Sequence, residues 1–121
     1  MTTYNAEEWV DETIASVLKQ TCSNFEFLII DDGSNDGTVN RIKRYSDKRI
    51  KLVENEKNVG VGACLDAALE MIDTQYIVKV DADDISEPTR FEKQLSFLQN
   101  NEMDIVKCFV SYFPDNERVR A

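Results

Sequence analysis

The sequence predicts an α/β fold, a mostly parallel sheet with helices on its faces. Short apolar runs alternate with amphipathic stretches along nearly the whole chain, the pattern of strand-helix-strand units. Two of the runs end directly in acidic clusters. Phe25-Glu26-Phe27-Leu28-Ile29-Ile30 leads into Asp31-Asp32-Gly33-Ser34, and Tyr76-Ile77-Val78-Lys79-Val80 leads into Asp81-Ala82-Asp83-Asp84. Ligands of open parallel sheets sit in the crevice beyond the carboxyl ends of the strands. Packing does not call for five Asp residues there, whereas a hydroxyl-bearing ligand or a cation does.

Each element has its own warrant. Asn5 followed by Glu8 resembles a capping box, and Val10, Ile14, Val17 and Leu18 recur at helical spacing, so a helix is expected over 6–20. Residues 25–30 read as a short buried strand. The turn formers from Asp32 to Gly37 then lead into a helix from Thr38 to about Ser46, with Val39, Ile42 and Tyr45 on one face. Ile50–Val53 is a second strand. Val61, Cys64, Leu65, Ala68, Leu69 and Ile72 fit an amphipathic helix. Residues 76–80 are expected to form a third strand. Pro88 suits a first helical turn, where its missing donor goes unmissed, and Phe91, Leu95 and Leu98 carry that helix to about Asn100. Ile105–Val110 reads as a last strand and residues 115–118 as a polar tail.

At 121 residues, 42% hydrophobic and 31% charged, the chain has the size and composition of one soluble domain. No apolar run approaches the ~20 residues of a membrane helix, and the N-terminus lacks the regions of a signal peptide. Cys22, Cys64 and Cys108 are odd in number and widely spaced, which favours reduced, buried thiols and a cytoplasmic setting. The net charge of −9 argues against a nucleic-acid or anionic-membrane surface. It still admits a phosphate-bearing ligand if a divalent cation stands between. The chain has no His, which removes Ser-His-Asp, Cys-His and His-zinc chemistry from these residues. Carboxylate and metal chemistry is what remains.

Two superficial motifs fail. Asp32 to Gly37 suggests a calcium loop, but Lys43 stands where its bidentate Glu belongs. Gly60-Val61-Gly62 begins a dinucleotide fingerprint whose third glycine is Leu65. The acidic clusters are harder to dismiss. Adjacent strand residues point to opposite sides, so Asp32 is expected to face a ligand while Asp31 supports the turn. If strand geometry continues, Asp81 and Asp83 share a side and can hold a divalent ion with diphosphate oxygens, a Lewis-acid arrangement. Asp84 would cap the next segment. The bland alternatives are a turn cap for the first cluster and a solvated acidic loop for the second.

Thr2-Thr3-Tyr4-Asn5-Ala6-Glu7-Glu8, Ser16-Val17-Leu18-Lys19-Gln20-Thr21, Asn24-Phe25-Glu26, Asp31 to Thr38, Asn58-Val59-Gly60 and Asp81-Ala82-Asp83-Asp84 resemble family 2 glycosyltransferases in order and spacing. The paired D-D-G-S and D-x-D motifs carry the resemblance. It implies the GT-A fold: a Rossmann-like nucleotide-binding half, truncated here at both ends, with 1–121 a single nucleotide-diphospho-sugar-binding domain. It implies inverting transfer of a sugar from a UDP- or GDP-type donor to a saccharide or lipid-linked acceptor. By the same resemblance Thr2 and Tyr4 line the base pocket, Asp32 accepts the base imide, Asp81 lies near the ribose and donor sugar, and Asp83 coordinates Mg2+ or Mn2+.

Pro88 and Arg90–Gln94 resemble the segment after the metal motif, with Arg90 holding that loop. Three departures accompany the likeness. The family's first strand is nearly absent, Cys64-Leu65-Asp66 replaces a basic donor contact, and the general base is expected beyond Ala121, so the fragment alone is expected to be inactive. The full-length protein could lie at the cytoplasmic face of a membrane. The alternatives are a Mg2+-dependent phospho-acceptor domain phosphorylated at Asp81, which leaves the first helix unexplained, and a non-catalytic nucleotide-binding fragment.

Overall fold

The computed structural model describes residues 1–111, in the order β1 (Thr2–Thr3), α1 (Val10–Leu18), β2 (Phe27–Asp31), α2 (Thr38–Ile42), β3 (Ile50–Glu54), α3 (Val61–Met71) and α4 (Arg90–Asn101). The strands form one parallel sheet ordered β1-β2-β3. Thr2 stands opposite Ile30, and Phe27 to Asp31 stand opposite Ile50 to Glu54. Parallel neighbours need crossovers, which α1 and α2 supply. The central strand β2 is almost continuously apolar because both its faces are covered. Phe27 and Ile29 join Ala6, Val10, Ile14, Val17 and Ile42 in the main core. Alternation turns the buried Ile30 to the opposite face, where α3 meets β1 and β2.

The first helix is shorter than its periodicity suggests. The amides of Trp9 and Val10 both donate to the Ala6 carbonyl at 2.9 Å, so a tight turn precedes the helix and Trp9 is the N-cap. Asn5 is no cap. It has φ 48°, and its side-chain oxygen accepts the Asn35 amide at 2.9 Å. The second helix stops at Ile42 rather than Ser46, because the amides of Arg44 and Tyr45 bond three residues back and close a tighter turn. That rotation lets the Tyr45 hydroxyl donate to the Asp11 carbonyl at 3.0 Å, tying α2 to α1.

Two predicted strands are absent. Residues 76–80 join no ladder; Tyr76, Ile77 and Val78 are exposed, and only Val80 enters the core. The Met1 ammonium feels the charges of Asp81 and Lys79, so this run lies beside β1. A two-residue edge strand offers too little backbone to pair with five residues. Residues 105–110 also form no strand, and Ile105 and Phe109 are exposed. The polar stretch 115–118 lies outside the described residues. Of the three free cysteines only Cys64 is buried, with Cys22 half-buried and Cys108 exposed, which corrects the expectation of buried thiols throughout.

α1 and the residues just past its end also carry a buried polar strip, Thr13, Ser16 and Gln20, at positions i, i+3 and i+7. Gln20 is its clearest member. Its Nε2 donates to the Glu87 carbonyl at 2.8 Å while its Oε1 accepts the Phe91 amide at 3.0 Å. Phe91 lies in the first turn of α4, where amides lack intrahelical partners, so a side chain from just past the end of α1 caps α4. Nearby, Arg49 grips Asp47 through Nε at 3.0 Å and Nη2 at 2.8 Å, and its guanidinium lies 4.8 Å from the Phe25 ring centre. Phe25 meets Phe91 edge-on at 5.7 Å.

Gln20→Ala leaves a buried amide and a carbonyl unpaired, and is expected to cost about 1–3 kcal/mol in urea unfolding with an unchanged m-value. The Arg49 side chain, helped by its amide, holds the Asp47 carboxyl at about 2 against an ordinary 3.8. A depressed carboxyl stabilises above its unfolded value and stops doing so as pH falls through its folded one. Stability should therefore decline between pH 3.8 and about 2, and Asp47→Asn should flatten that part of an acid-unfolding curve.

Candidate functional site

The carboxyl ends of the three strands lie along one edge. The Asp32 amide donates to the Thr3 carbonyl at 2.8 Å, and the Asn55 amide donates to the Asp31 carbonyl at 2.8 Å. Asp31 and Asp32 diverge there, as strand alternation requires. Asp31 Oδ2 accepts the Ser34 amide at 2.9 Å and Oδ1 accepts the Ser34 hydroxyl at 2.6 Å, which fixes the turn. Asp32 turns to the segment after β3. Its Oδ1 accepts Asn55 Nδ2 at 3.0 Å and the Val59 amide at 2.9 Å, and its Oδ2 accepts the Gly60 amide at 2.9 Å.

Asp32 is only 4% exposed. Burial alone would raise its pKa, but the Val59 amide, the Asn55 side chain and the Gly60 amide outweigh it and hold the carboxyl below the usual range. Burial, followed by the neighbouring Asp32, pushes the Cys64 thiol up. Gly33 makes the close approach possible. It has φ 74°, and a Cβ there would fall 2.7 Å from the Lys57 carbonyl carbon, so only glycine lets the two loops meet.

The far side of the turn is bound to the segment after β1. The Asn5 amide donates to Ser34 Oγ at 2.9 Å, the Ala6 amide to Thr38 Oγ1 at 2.8 Å, and the Gly37 amide to Glu7 Oε2 at 2.9 Å. Asp36 accepts the Thr38 amide and hydroxyl and the Glu7 amide. Those bonds outweigh the opposing effect of burial and keep its pKa low. The half-buried Thr2 and the exposed Tyr4 stand at this edge.

The second cluster is a turn, not a continued strand. Ala82 and Asp83 form its corner, with the Asp84 amide 3.3 Å from the Asp81 carbonyl. Strand alternation therefore does not set the directions of Asp81 and Asp83. Both are exposed, and Asp81 pairs with Lys79. Burial, then the charges of Asp81 and Asp83, push the Asp84 carboxyl up. Arg90 holds the loop, with Nη2 donating to the Lys79 carbonyl at 2.9 Å and Nη1 to Ser86 Oγ at 3.0 Å. Thr13 donates to the Ala82 carbonyl at 2.9 Å, and Ser16 Oγ accepts the Ser86 amide at 3.0 Å.

The donors offered are hard oxygens, which suit Mg2+ or Mn2+. Among the described residues no three metal-ligating side chains gather into one group. Mg2+ is commonly held by one or two carboxylates, with phosphate oxygens and water completing the shell. The residues fit an ion that arrives with a diphosphate, and they do not form a free-standing cage.

The structure thus brings Thr2, Tyr4 and Asp32 to one strand edge and sets Asp81 and Asp83 on a separate turn beside β1. Among the described residues, no hydrogen bond or ion pair joins Asp32 to Asp81 or Asp83. Sequence reasoning missed Asn55 as a partner of Asp32, and it missed the grip of Thr13 and Ser16 on the second cluster. The polar spacing of residues 13, 16 and 20 beside an apolar stripe was the available signal.

Comparison with known proteins adds a further finding. A family model described as Glycosyl transferase family 2 matches residues 1–121. The chain is 38% identical over 106 residues to the Escherichia coli protein named UDP-Glc:alpha-D-GlcNAc-diphosphoundecaprenol beta-1,3-glucosyltransferase WfgD, covering 88% of this chain and 42% of that one. The solved mannosyltransferase PcManGT from Pyrobaculum calidifontis, in complex with GDP-Man and Mn2+, superposes with a TM-score of 0.80 at 25% identity, over 90% of this chain and 34% of that one. S. aureus TarS 1–349, in complex with UDP-GlcNAc, shares the fold at a TM-score of 0.77 and 24% identity, over 94% of this chain and 37% of that one. The chain spans under half the length of the relatives it matches first, 31% and 43%.

Asp32→Asn keeps the shape of the side chain but replaces one acceptor oxygen with a donor. The Val59 and Gly60 amides cannot then both be satisfied. A loss of about 1–3 kcal/mol is expected, with faster amide hydrogen exchange at residues 59 and 60 and little change in β2.

Proposed function

The chain belongs to glycosyl transferase family 2 and has its GT-A fold, and from that premise we propose that it is the donor-binding domain of an inverting, divalent-metal-dependent glycosyltransferase. Residues 1–121 would form a single nucleotide-diphospho-sugar-binding domain within a longer cytoplasmic enzyme. Membership in the family sets aside the phospho-acceptor alternative. No helix among the described residues is long and apolar enough to cross a membrane.

One observation carries the reading. The strand edge bearing Asp32 and the acidic turn bearing Asp81 and Asp83 are both tied to the β1–α1 unit, Asp32 through the Thr3 carbonyl of β1 and the turn through Thr13 of α1. A carboxylate has about four acceptor positions, and on Asp32 the protein meets them with Asn55, Val59 and Gly60 and, more weakly, with the Cys64 thiol. A ring imide N–H of a base would compete with that weak thiol donor for Asp32, and Thr2 and Tyr4 at the same edge would flank the base. The exposed Asp83 would hold Mg2+ or Mn2+ with the diphosphate. Asp81 would leave Lys79 to face the ribose and donor sugar. A bound divalent ion would neutralise charge on the departing nucleoside diphosphate.

Inversion follows from direct attack of an acceptor hydroxyl on the anomeric carbon, with the proton passing to a carboxylate base. We place that base outside residues 1–121, which span under half of the matched relatives. The acceptor is a saccharide or lipid-linked hydroxyl. The E. coli relative, whose name specifies a UDP-sugar donor, and the archaeal mannosyltransferase, solved with GDP-Man and Mn2+, support a UDP- or GDP-type donor and a divalent ion.

Titration calorimetry with UDP and with GDP, each with and without Mn2+, tests the proposal. One nucleotide should bind at least about tenfold more tightly with the metal, a gain of roughly 1.4 kcal/mol. Asp83→Ala should abolish that gain while the fold survives. Nucleotide binding indifferent to Mn2+ would defeat the metal-dependent reading.

A further inference from the structure

We infer that Thr13, on α1, is a positioning residue for the acidic turn, setting the direction of Asp83 by holding the peptide between Ala82 and Asp83. The inference rests on the donor-site reading above and adds to it a residue remote in sequence from both acidic motifs. Residues 81–84 form a four-residue turn, whose end amide lies 3.3 Å from its first carbonyl. In such turns the central peptide is the one that rotates between the two common forms. Here that peptide carries the Ala82 carbonyl and the Asp83 amide, and the Thr13 hydroxyl donates to the carbonyl at 2.9 Å.

The hydroxyl has one proton and two acceptors within reach. The Trp9 carbonyl lies at 3.4 Å and the Ala82 carbonyl at 2.9 Å, so the turn holds the stronger claim. The alternative turn form needs a positive φ at Asp83, whereas the described non-glycine residues with positive φ are Asn5 and Glu102. The donor itself is buried, with Thr13 1% exposed, while the acceptor residue Ala82 is half-buried.

The ends of the turn are fixed independently of Thr13. Arg90 bridges the Lys79 carbonyl and the Ser86 hydroxyl, and Ser16 accepts the Ser86 amide. With both flanks pinned, removing the Thr13 hydroxyl frees only the central peptide. The turn then remains attached while the Asp83 carboxylate loses its fixed direction.

Thr13→Val keeps the volume and deletes the hydroxyl, and Thr13→Ser keeps the hydroxyl. The full chain is titrated with UDP and GDP, with and without MnCl2, and amide hydrogen exchange is followed at Asp83 and Asp84. In Thr13→Val the gain in nucleotide affinity given by Mn2+ should shrink about tenfold, the scale of one buried hydrogen bond. Metal-free affinity should hold, and exchange at Asp83 and Asp84 should quicken. Thr13→Ser should restore all three. If Thr13→Val does not fold, Thr13→Ala gives the same comparison. A wild-type gain matched by the hydroxyl-free variant, or a Thr13→Ser protein as impaired as Thr13→Val, overturns the inference and leaves the donor-site reading intact. Wild-type binding indifferent to Mn2+ overturns that reading, and the inference with it.

Discussion

Asp32 sits charged and buried at the end of the central strand, and the loop after β3 is shaped around it. A carboxylate removed from water must find donors where it lies. Asn55, Val59 and Gly60 provide them, and their position fixes where α3 begins. Gly33 lets the turn after Asp32 press against residues 57 and 58. Asp31 does the converse on the other side, folding its own turn onto Ser34. The two adjacent carboxylates thus organise two loops in opposite directions, and both loops border the edge where a nucleotide would lie.

The helix after β1, with the residues that directly follow it, divides its surface in a related way. Val10, Ile14 and Val17 serve the sheet, while Thr13, Ser16 and Gln20 reach the segment from Ala82 to Phe91. Buried hydroxyls and amides add less stability than apolar groups of the same size. They add direction instead, because each bond has a preferred line and length. The 82–91 segment has little regular structure of its own before α4. It draws its shape from α1.

Periodicity was enough to read α1, α3 and α4 and the apolar runs of β2 and β3, because a helix or strand that buries one side leaves its period in the sequence. The opposite orientations of Asp31 and Asp32 were legible for the same reason. What failed depended on partners. The run 76–80 has strand composition, but composition cannot supply a neighbouring ladder, and β1 is two residues long. Asn5 has the residue type of a cap but is claimed by the Asn35 amide. The role of Gln20 as the cap of α4 spans 71 residues, beyond any local pattern. Asn55 gave no signal beyond being a polar residue after a strand.

The span of the contacts made by α1 bears on the order in which the structure forms. β2 meets β3 across 23 residues, between Phe27 and Ile50, whereas Thr13 meets the acidic turn across 69 and Ser16 meets Ser86, just after it, across 70. Closing the longer loop costs about 1 kcal/mol more in chain entropy, and its reward is a few hydrogen bonds and the packing of Val80 and Ala82, less than the apolar face of β2 against its neighbours. The sheet and its crossovers can therefore assemble early, with the acidic turn docking afterwards. In the finished protein the same turn would be among the first parts to open, so the acidic segment would exchange between docked and released states while the strands beneath it stay closed.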